Sequence, residues 1–185
     1  MKKENDLRKY YLEKRLRLNS EEIENKSSKI AKKLLSIDTI ISNKHFSIYL
    51  PVKNEVITQT IIDHLDRWGK VLVVPCFFKK DKEYKFAKFN KTDVLIKGPY
   101  DIPQPKFGKI VNPDTIEIAI LPGLAFSKNG VRLGYGKGVF DKLLAISKAL
   151  KVGLAYDFQV IDKLPKEKHD LKMDIIITES KVYRF

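Results

Sequence analysis

A strand-helix-strand pattern between His45 and Pro75 constrains this chain most. "HFSIYLPV" is a short run rich in apolar residues. "EVITQTIIDHLDRWG" places Ile57, Ile61, Leu65 and Trp68 at helical spacing, and "KVLVVP" is a second apolar strand. Two strands joined by a helix-length crossover pair in parallel, and parallel sheets are covered on both faces. The expected class is α/β, a mainly parallel sheet flanked by helices.

The remaining chain extends this pattern. A basic helix is expected from Leu7 to Leu18. A second should follow the Asn19/Ser20 cap, where Glu21 and Glu22 occupy the first turn and Ile23, Ser27, Ile30 and Leu34 recur at helical spacing. Downstream, "EIAILPGLAF", "KVGLAY" and "MDIIITE" read as buried strands, with a helix from about Gly138 to Leu150. The stretch from Phe77 to Asn112 alternates weakly around "EYKFAKFN" and turns loop-like through "GPYDIPQPKFG". With no repeat, low-complexity tract or linker, residues 1–185 are expected to form one domain.

Thirty-six Lys and Arg against 23 Asp and Glu leave a formal charge of +13, which favours an anionic partner without choosing among nucleotide, nucleic acid and membrane surface. Lysines are spread throughout, so a solvated basic surface accounts for much of the excess. Arg8, Lys9, Lys14, Arg15 and Arg17 on the first helix read the same way, as a solvated face with phosphate contact as the alternative. The single cysteine, Cys76, rules out an intrachain disulfide and reads as a small hydrophobe at a strand end in a reducing compartment. "MKKENDLRKYYLEKRLRLNSEE" has no apolar run of signal-peptide length, and no run elsewhere approaches the roughly 20 residues of a membrane span. A cytoplasmic protein that does not engage membranes is expected.

The chemistry concentrates in "LPGLAFSKNGVRLGYGKGVFDKLL", from Leu121 to Leu144. Gly134-Tyr135-Gly136-Lys137-Gly138 alternates glycine directly before a helical pattern. A helix N-terminus offers free N–H groups and about half a positive charge to an anion. Walker A would need Ser or Thr where Gly138 stands, and the dinucleotide fingerprint would need Gly where Val139 stands. The loop is therefore a different phosphate cradle, or a left-handed connection that binds nothing. Asp141 in the first helical turn would repel a phosphate unless a cation lies between them. Mg²⁺, held by one or two carboxylates plus phosphate oxygens, resolves that conflict and calls for a second acid. Plain complementation of the helix dipole is the other reading of Asp141.

"LPGLAFSKNGVRLGYGKGVFD" closely resembles the signature of the 5-formyltetrahydrofolate cyclo-ligase family. "IYLPVKNEV" is similar to the family's strand and Glu-bearing loop, "YDIPQP" to its Pro-Gln-Pro segment, and "HDLKMDIIITE" to its C-terminal Asp motif. With the basic "LR" helix, the resemblance spans nearly the whole chain in order. It implies a three-layer α/β sandwich and a reaction in which MgATP drives 5-formyltetrahydrofolate to 5,10-methenyltetrahydrofolate with release of ADP and phosphate. It also implies a small-molecule folate and ATP as the partners; a monomer or weak oligomer is expected.

By motif match, Lys3, Arg8, Arg132, Leu133, Gly134, Tyr135, Gly136, Lys137, Gly138 and Asp141 would bind ATP, with Lys137 and Arg132 as the catalytic cations. Asp141 and Asp170 would hold Mg²⁺. Glu55, Tyr100, Gln104, Tyr135, Val139 and Phe140 would contact the folate. Glu55 is suited to accept paired hydrogen bonds from an aminopyrimidinone edge.

The chain departs from the family pattern at two places. Val139 and Phe140 stand where two tyrosines are usual, and Glu4 stands where a lysine is expected before "LR", with Lys3 as its substitute. The competing reading is a basic nucleic-acid-binding protein using helix one and the glycine-rich loop. It lacks the aromatic strand signatures, zinc spacings or recognition helix of common nucleic-acid binders.

Overall fold

The computed structural model describes residues 2–165 and 171–185, with side chains from Glu4 onward. Two helices open the chain, α1 (Lys2–Leu16) and α2 (Ser20–Leu35). Asn19 between them accepts from the backbone of Glu22, whose carboxylate accepts from the backbone of Asn19. This reciprocal capping box satisfies two N–H groups that have no partner within the helix. The expected stripe of Ile23, Ser27, Ile30 and Leu34 is buried.

After the short α3 (Asp38–Ile41), β1 (His45–Ser47), α4 (Gln59–Arg67) and β2 (Val71–Phe78) form the anticipated unit, with β1 and β2 parallel. α4 buries Ile61, Ile62 and Leu65, but Ile57 precedes the helix and Trp68 is not on that face. The helix ends at Arg67, so Trp68 becomes its C-cap and lies exposed, edge-on to His64.

The weakly alternating "EYKFAKF" is β3 (Glu83–Phe89), antiparallel to β2. β4 (Leu95–Lys97) and β5 (Pro103–Pro105) make a separate hairpin. The run "EIAILPGLAF" is two strands, β6 (Ile118–Leu121) and β7 (Ala125–Ser127). Pro122 cannot donate to a ladder, and a Cβ on Gly123 would lie 2.6 Å from the Phe126 ring, so the chain turns there.

β8 (Arg132–Leu133) pairs with β7 and leads through the glycine-rich segment into α5 (Val139–Leu143). That helix is shorter than the sequence pattern predicts. The Ser147 hydroxyl accepts from the Ala149 N–H, a local turn that competes with helix, and Leu150 opens a strand instead. β9 (Leu150–Leu154), β10 (Val160–Ile161), β11 (Ile175–Ile177) and β12 (Val182–Arg184) complete the chain.

The main sheet runs β12-β11-β9-β6-β1-β2-β3, parallel through its centre and antiparallel at both edges. Successive side chains go to opposite faces. Leu72, Val74, Ile118, Ile120, Val152 and Leu154 join Ile30, Leu34, Ile61 and Leu65 in one core. Val73, Ala119, Leu121 and Ile176 join Phe126, Leu143 and Leu144 in the other. The chain leaves β1 for β2 on one side and returns as β6 on the other. In such sheets the crevice beyond the carboxyl ends of the strands at this reversal is where ligands bind.

Candidate active site

A cleft of about 310 Å³ opens at that reversal, walled by Tyr49 and Leu50 after β1, Pro122 after β6, the segment Gly134–Asp141, and Tyr100 and Ile102 from the hairpin connection. Arg132 and Glu55 also line it. Residues far apart in sequence thus meet in one space, positioned by the ends of two adjacent strands.

The glycine-rich segment wraps around Arg132. A Cβ on Gly134 would stand 2.9 Å from Arg132 Nη1, so this position has room only for glycine while the guanidinium lies beneath. Gly136 and Gly138 have φ of 78° and 64°, values that L side chains adopt at a cost. Arg132 Nη1 donates to the Pro122 carbonyl at 3.3 Å, and Nη2 reaches both Asp141 oxygens at 2.8 and 2.9 Å. Its Nε is buried with no partner among the described residues. Lys137 is exposed at the rim, its Nζ 5.0 Å from the centre of the Tyr100 ring.

Arg8 joins the loop from α1. Its Nε donates to the Gly134 carbonyl, and its other nitrogens are held by Asn5 and Glu4. Glu4 therefore orients Arg8 at the place where the family pattern has a lysine. Leu133 stands apart from the cleft, with its side chain in a core under α1 and its carbonyl accepting from Leu124.

Glu55 sits in a tight turn fixed by Lys53 and Asn54, both in the left-handed region at φ of 50° and 58°. It is 4% exposed. One carboxylate oxygen accepts from Val52 N–H at 3.0 Å, and the other from Tyr135 Oη at 3.1 Å. Burial pushes its pKa up, opposed by Arg15, the Val52 N–H and Tyr135. Burial likewise raises the Tyr135 phenol, reinforced by the Glu55 charge. Tyr135 therefore ties the glycine-rich segment to the acid across the cleft.

Arg15 is not on the solvated face expected for the first helix. Arg15 is 1% exposed. It donates to the carbonyls of Lys53 and Gly123 and to the Tyr135 hydroxyl. Charge spacing on α1 alone gave no sign of this, because the acceptors belong to distant turns.

Gln104 is also placed differently from the expectation. It does not line the cleft; its carboxamide accepts from Phe77 N–H at 2.9 Å and donates to Phe77 O at 3.3 Å, pinning the hairpin to β2. Both of its polar ends are spent on backbone. Val139, Phe140 and Tyr100 all line the cleft, and Tyr100 adopts φ of 61°. Asp170 and the side chain of Lys3 lie outside the described residues.

The donor set suits magnesium only with help from a ligand. Among the described residues no three His, Cys, Asp or Glu side chains cluster as a metal cage. Both Asp141 oxygens accept from Arg132 Nη2 and one also accepts from Leu171 N–H at 3.5 Å, which leaves lone-pair capacity on the carboxylate. Mg²⁺ commonly takes one or two carboxylates and completes its shell with phosphate oxygens and water, so the residues present fit it.

A parallel α/β sheet with a cleft at its switch point, bordered by a glycine-rich turn that leads into a helix, defines a ligand-binding protein of the doubly covered α/β class. The chain belongs to the 5-formyltetrahydrofolate cyclo-ligase family, whose model matches residues 1–179. The 5-formyltetrahydrofolate cyclo-ligase of Mycoplasma genitalium is 33% identical over 179 residues, covering 94% of this chain and 96% of that protein. The fold is shared with the Aquifex aeolicus 5,10-methenyltetrahydrofolate synthetase, at a TM-score of 0.86 and 35% identity, covering 98% of this chain and 92% of that one. The Mycoplasma pneumoniae synthetase superposes at 0.78 with 27% identity, covering 95% and 98% of the two chains.

Proposed function

We propose that residues 1–185 form one catalytic domain that converts 5-formyltetrahydrofolate to 5,10-methenyltetrahydrofolate, consuming ATP with Mg²⁺ and releasing ADP and phosphate. The observation that carries this reading is the meeting of the glycine-rich segment and Glu55 in one cleft, linked by the 3.1 Å hydrogen bond from Tyr135. A reaction that moves phosphate onto a folate needs both ligands side by side.

In this reading the γ-phosphoryl group passes to the formyl oxygen as its bond to ADP breaks. The neighbouring exocyclic nitrogen then attacks the formyl carbon and releases its proton to solvent, and phosphate leaves as the ring closes. The protein contributes position and charge, the terms that dominate phosphoryl transfer. Gly134, Gly136 and Gly138 let the backbone approach the triphosphate, and Arg8 orders that segment from behind. Arg132 and Lys137 offset charge on the transferring group. Glu55 accepts from the pterin edge, while Tyr100, Val139 and Phe140 wall the folate. Asp141, with Asp170 by resemblance, would hold Mg²⁺, which when bound neutralises phosphate charge.

The partners in this account are small molecules, and the protein acts in the cytoplasm as a monomer or weak oligomer without nucleic acid. Among the described residues no helix is long and apolar enough to cross a membrane. Burial of Arg15 removes one cation of the first helix from any polyanion-binding face. The test is product formation from purified protein, 5-formyltetrahydrofolate, ATP and Mg²⁺, with each omitted in turn. Salt-sensitive binding to nucleic acid without turnover would support the competing reading instead.

A further inference from the structure

Arg15 is a fully buried cation that the proposed chemistry does not use and that does not line the cleft. A guanidinium removed from water needs its hydrogen bonds made and its charge answered. Here Nε donates to Lys53 O at 2.9 Å and Nη1 to Gly123 O at 3.1 Å, while Nη2 donates to Tyr135 Oη and stands 3.9 Å from Glu55 Oε1. These acceptors come from the turn that carries Glu55, the turn after β6, and the glycine-rich segment. The cation therefore fastens three walls of the cleft from behind.

We infer that Arg15 is a positioning residue for folate recognition, acting through Glu55 and Tyr135 to keep the Glu55 carboxylate ionised and aimed into the cleft. The inference rests on the assignment of Glu55 to the pterin. A carboxylate this buried readily takes a proton once its cation is removed, and the protonated acid can no longer accept the paired hydrogen bonds of a pterin edge. The other groups facing Glu55 do not replace Arg15. Lys53 is exposed with its Nζ over the Tyr135 ring, and Tyr135, Tyr49 and Tyr156 are phenols whose own pKa values are raised. The left-handed Lys53 is held in place by the same guanidinium, through its carbonyl.

The test compares wild type, Arg15→Met, Glu55→Gln and the double variant, reading kcat and both KM values across pH, with 5-formyltetrahydrofolate binding measured at equilibrium alongside. In Arg15→Met the folate KM should rise about tenfold or more at neutral pH while the ATP KM moves far less, and the acid limb of the folate profile should shift to higher pH. The double variant should bind folate no worse than Glu55→Gln alone, since one residue acts through the other. A lower melting temperature with unchanged folate KM and acid limb, or additive losses in the double variant, would overturn the inference.

Should Arg15→Met not fold, Arg15→Lys keeps the charge but cannot reach all three acceptors. It should raise the folate KM and leave the acid limb in place, and an unchanged KM contradicts the proposal. Wild type that neither turns over nor binds folate would defeat the functional reading together with this inference. Folate binding by wild type that Arg15→Met leaves intact defeats the inference alone.

Discussion

Arg132 and Asp141 are paired at the entrance to the glycine-rich segment, with Nη2 of the arginine 2.8 Å from one carboxylate oxygen and 2.9 Å from the other. The arginine is buried and the acid partly exposed. Such a pair holds the guanidinium in place, and in the proposed reaction it would leave the acid available to a metal that arrives with the phosphate. Asp141→Asn should lower turnover about tenfold or more while the fold survives. Binding of metal-free ATP should not weaken, because a negative charge near the phosphates is removed. Wild-type turnover in this variant, measured under saturating ATP and Mg²⁺, would contradict the metal role.

Glu55 gives the protein a pH signature. Its pKa lies above the ordinary 4.5 because burial penalises the charged form. The folded state then binds the proton more tightly than the unfolded state. Stability from this group is fully present below 4.5 and is lost as pH rises through the raised folded value. If Glu55 contacts the folate as proposed, folate binding should run the opposite way, strengthening over the same window as the carboxylate forms. Glu55→Gln should flatten both dependences and weaken folate binding about tenfold or more with little change in ATP affinity. Parallel thermal melts and folate titrations across pH check the two slopes.

The glycine-rich segment makes a steric prediction. At Gly134 a methyl group would press on Arg132 Nη1, so the guanidinium would have to shift against its hydrogen bonds from Nη1 to Pro122 O and from Nη2 to Asp141. Gly134→Ala should therefore lower turnover through displacement of the guanidinium. At Gly138 there is space, but φ is 64°, so Gly138→Ala should cost about 1–2 kcal/mol of stability and raise the ATP KM. Chemical denaturation with steady-state kinetics separates the two effects.

Val139 lines the cleft where the family pattern has a tyrosine. Val139→Tyr should tighten folate by restoring a hydroxyl contact, seen as a lower folate KM with the ATP KM unchanged. An unaltered KM would show that this chain does not need the contact.

Much of this was legible in the sequence for a physical reason. Parallel strands buried on both faces are continuous apolar runs, and their crossover helix repeats at i, i+3 and i+4, so β1, α4 and β2 can be read directly. Glu55 and the Gly134–Gly138 segment are local motifs. Arg15 was not legible, because a buried arginine in a basic helix has the same spacing as a solvated one, and its acceptors on Lys53, Gly123 and Tyr135 exist only after folding. Gln104 failed similarly, its proline-flanked turn being visible while its bond partner Phe77 was not. α5 ends at Leu143, and the Ser147 hydroxyl accepting from Ala149 N–H further on marks a local turn that helical periodicity does not anticipate.

The most direct test of the account mixes purified protein with 5-formyltetrahydrofolate, ATP and Mg²⁺ and follows the ultraviolet absorbance of methenyltetrahydrofolate. The account predicts a rise that requires protein, folate, nucleotide and metal together. No rise from folded protein with all of them present would contradict it.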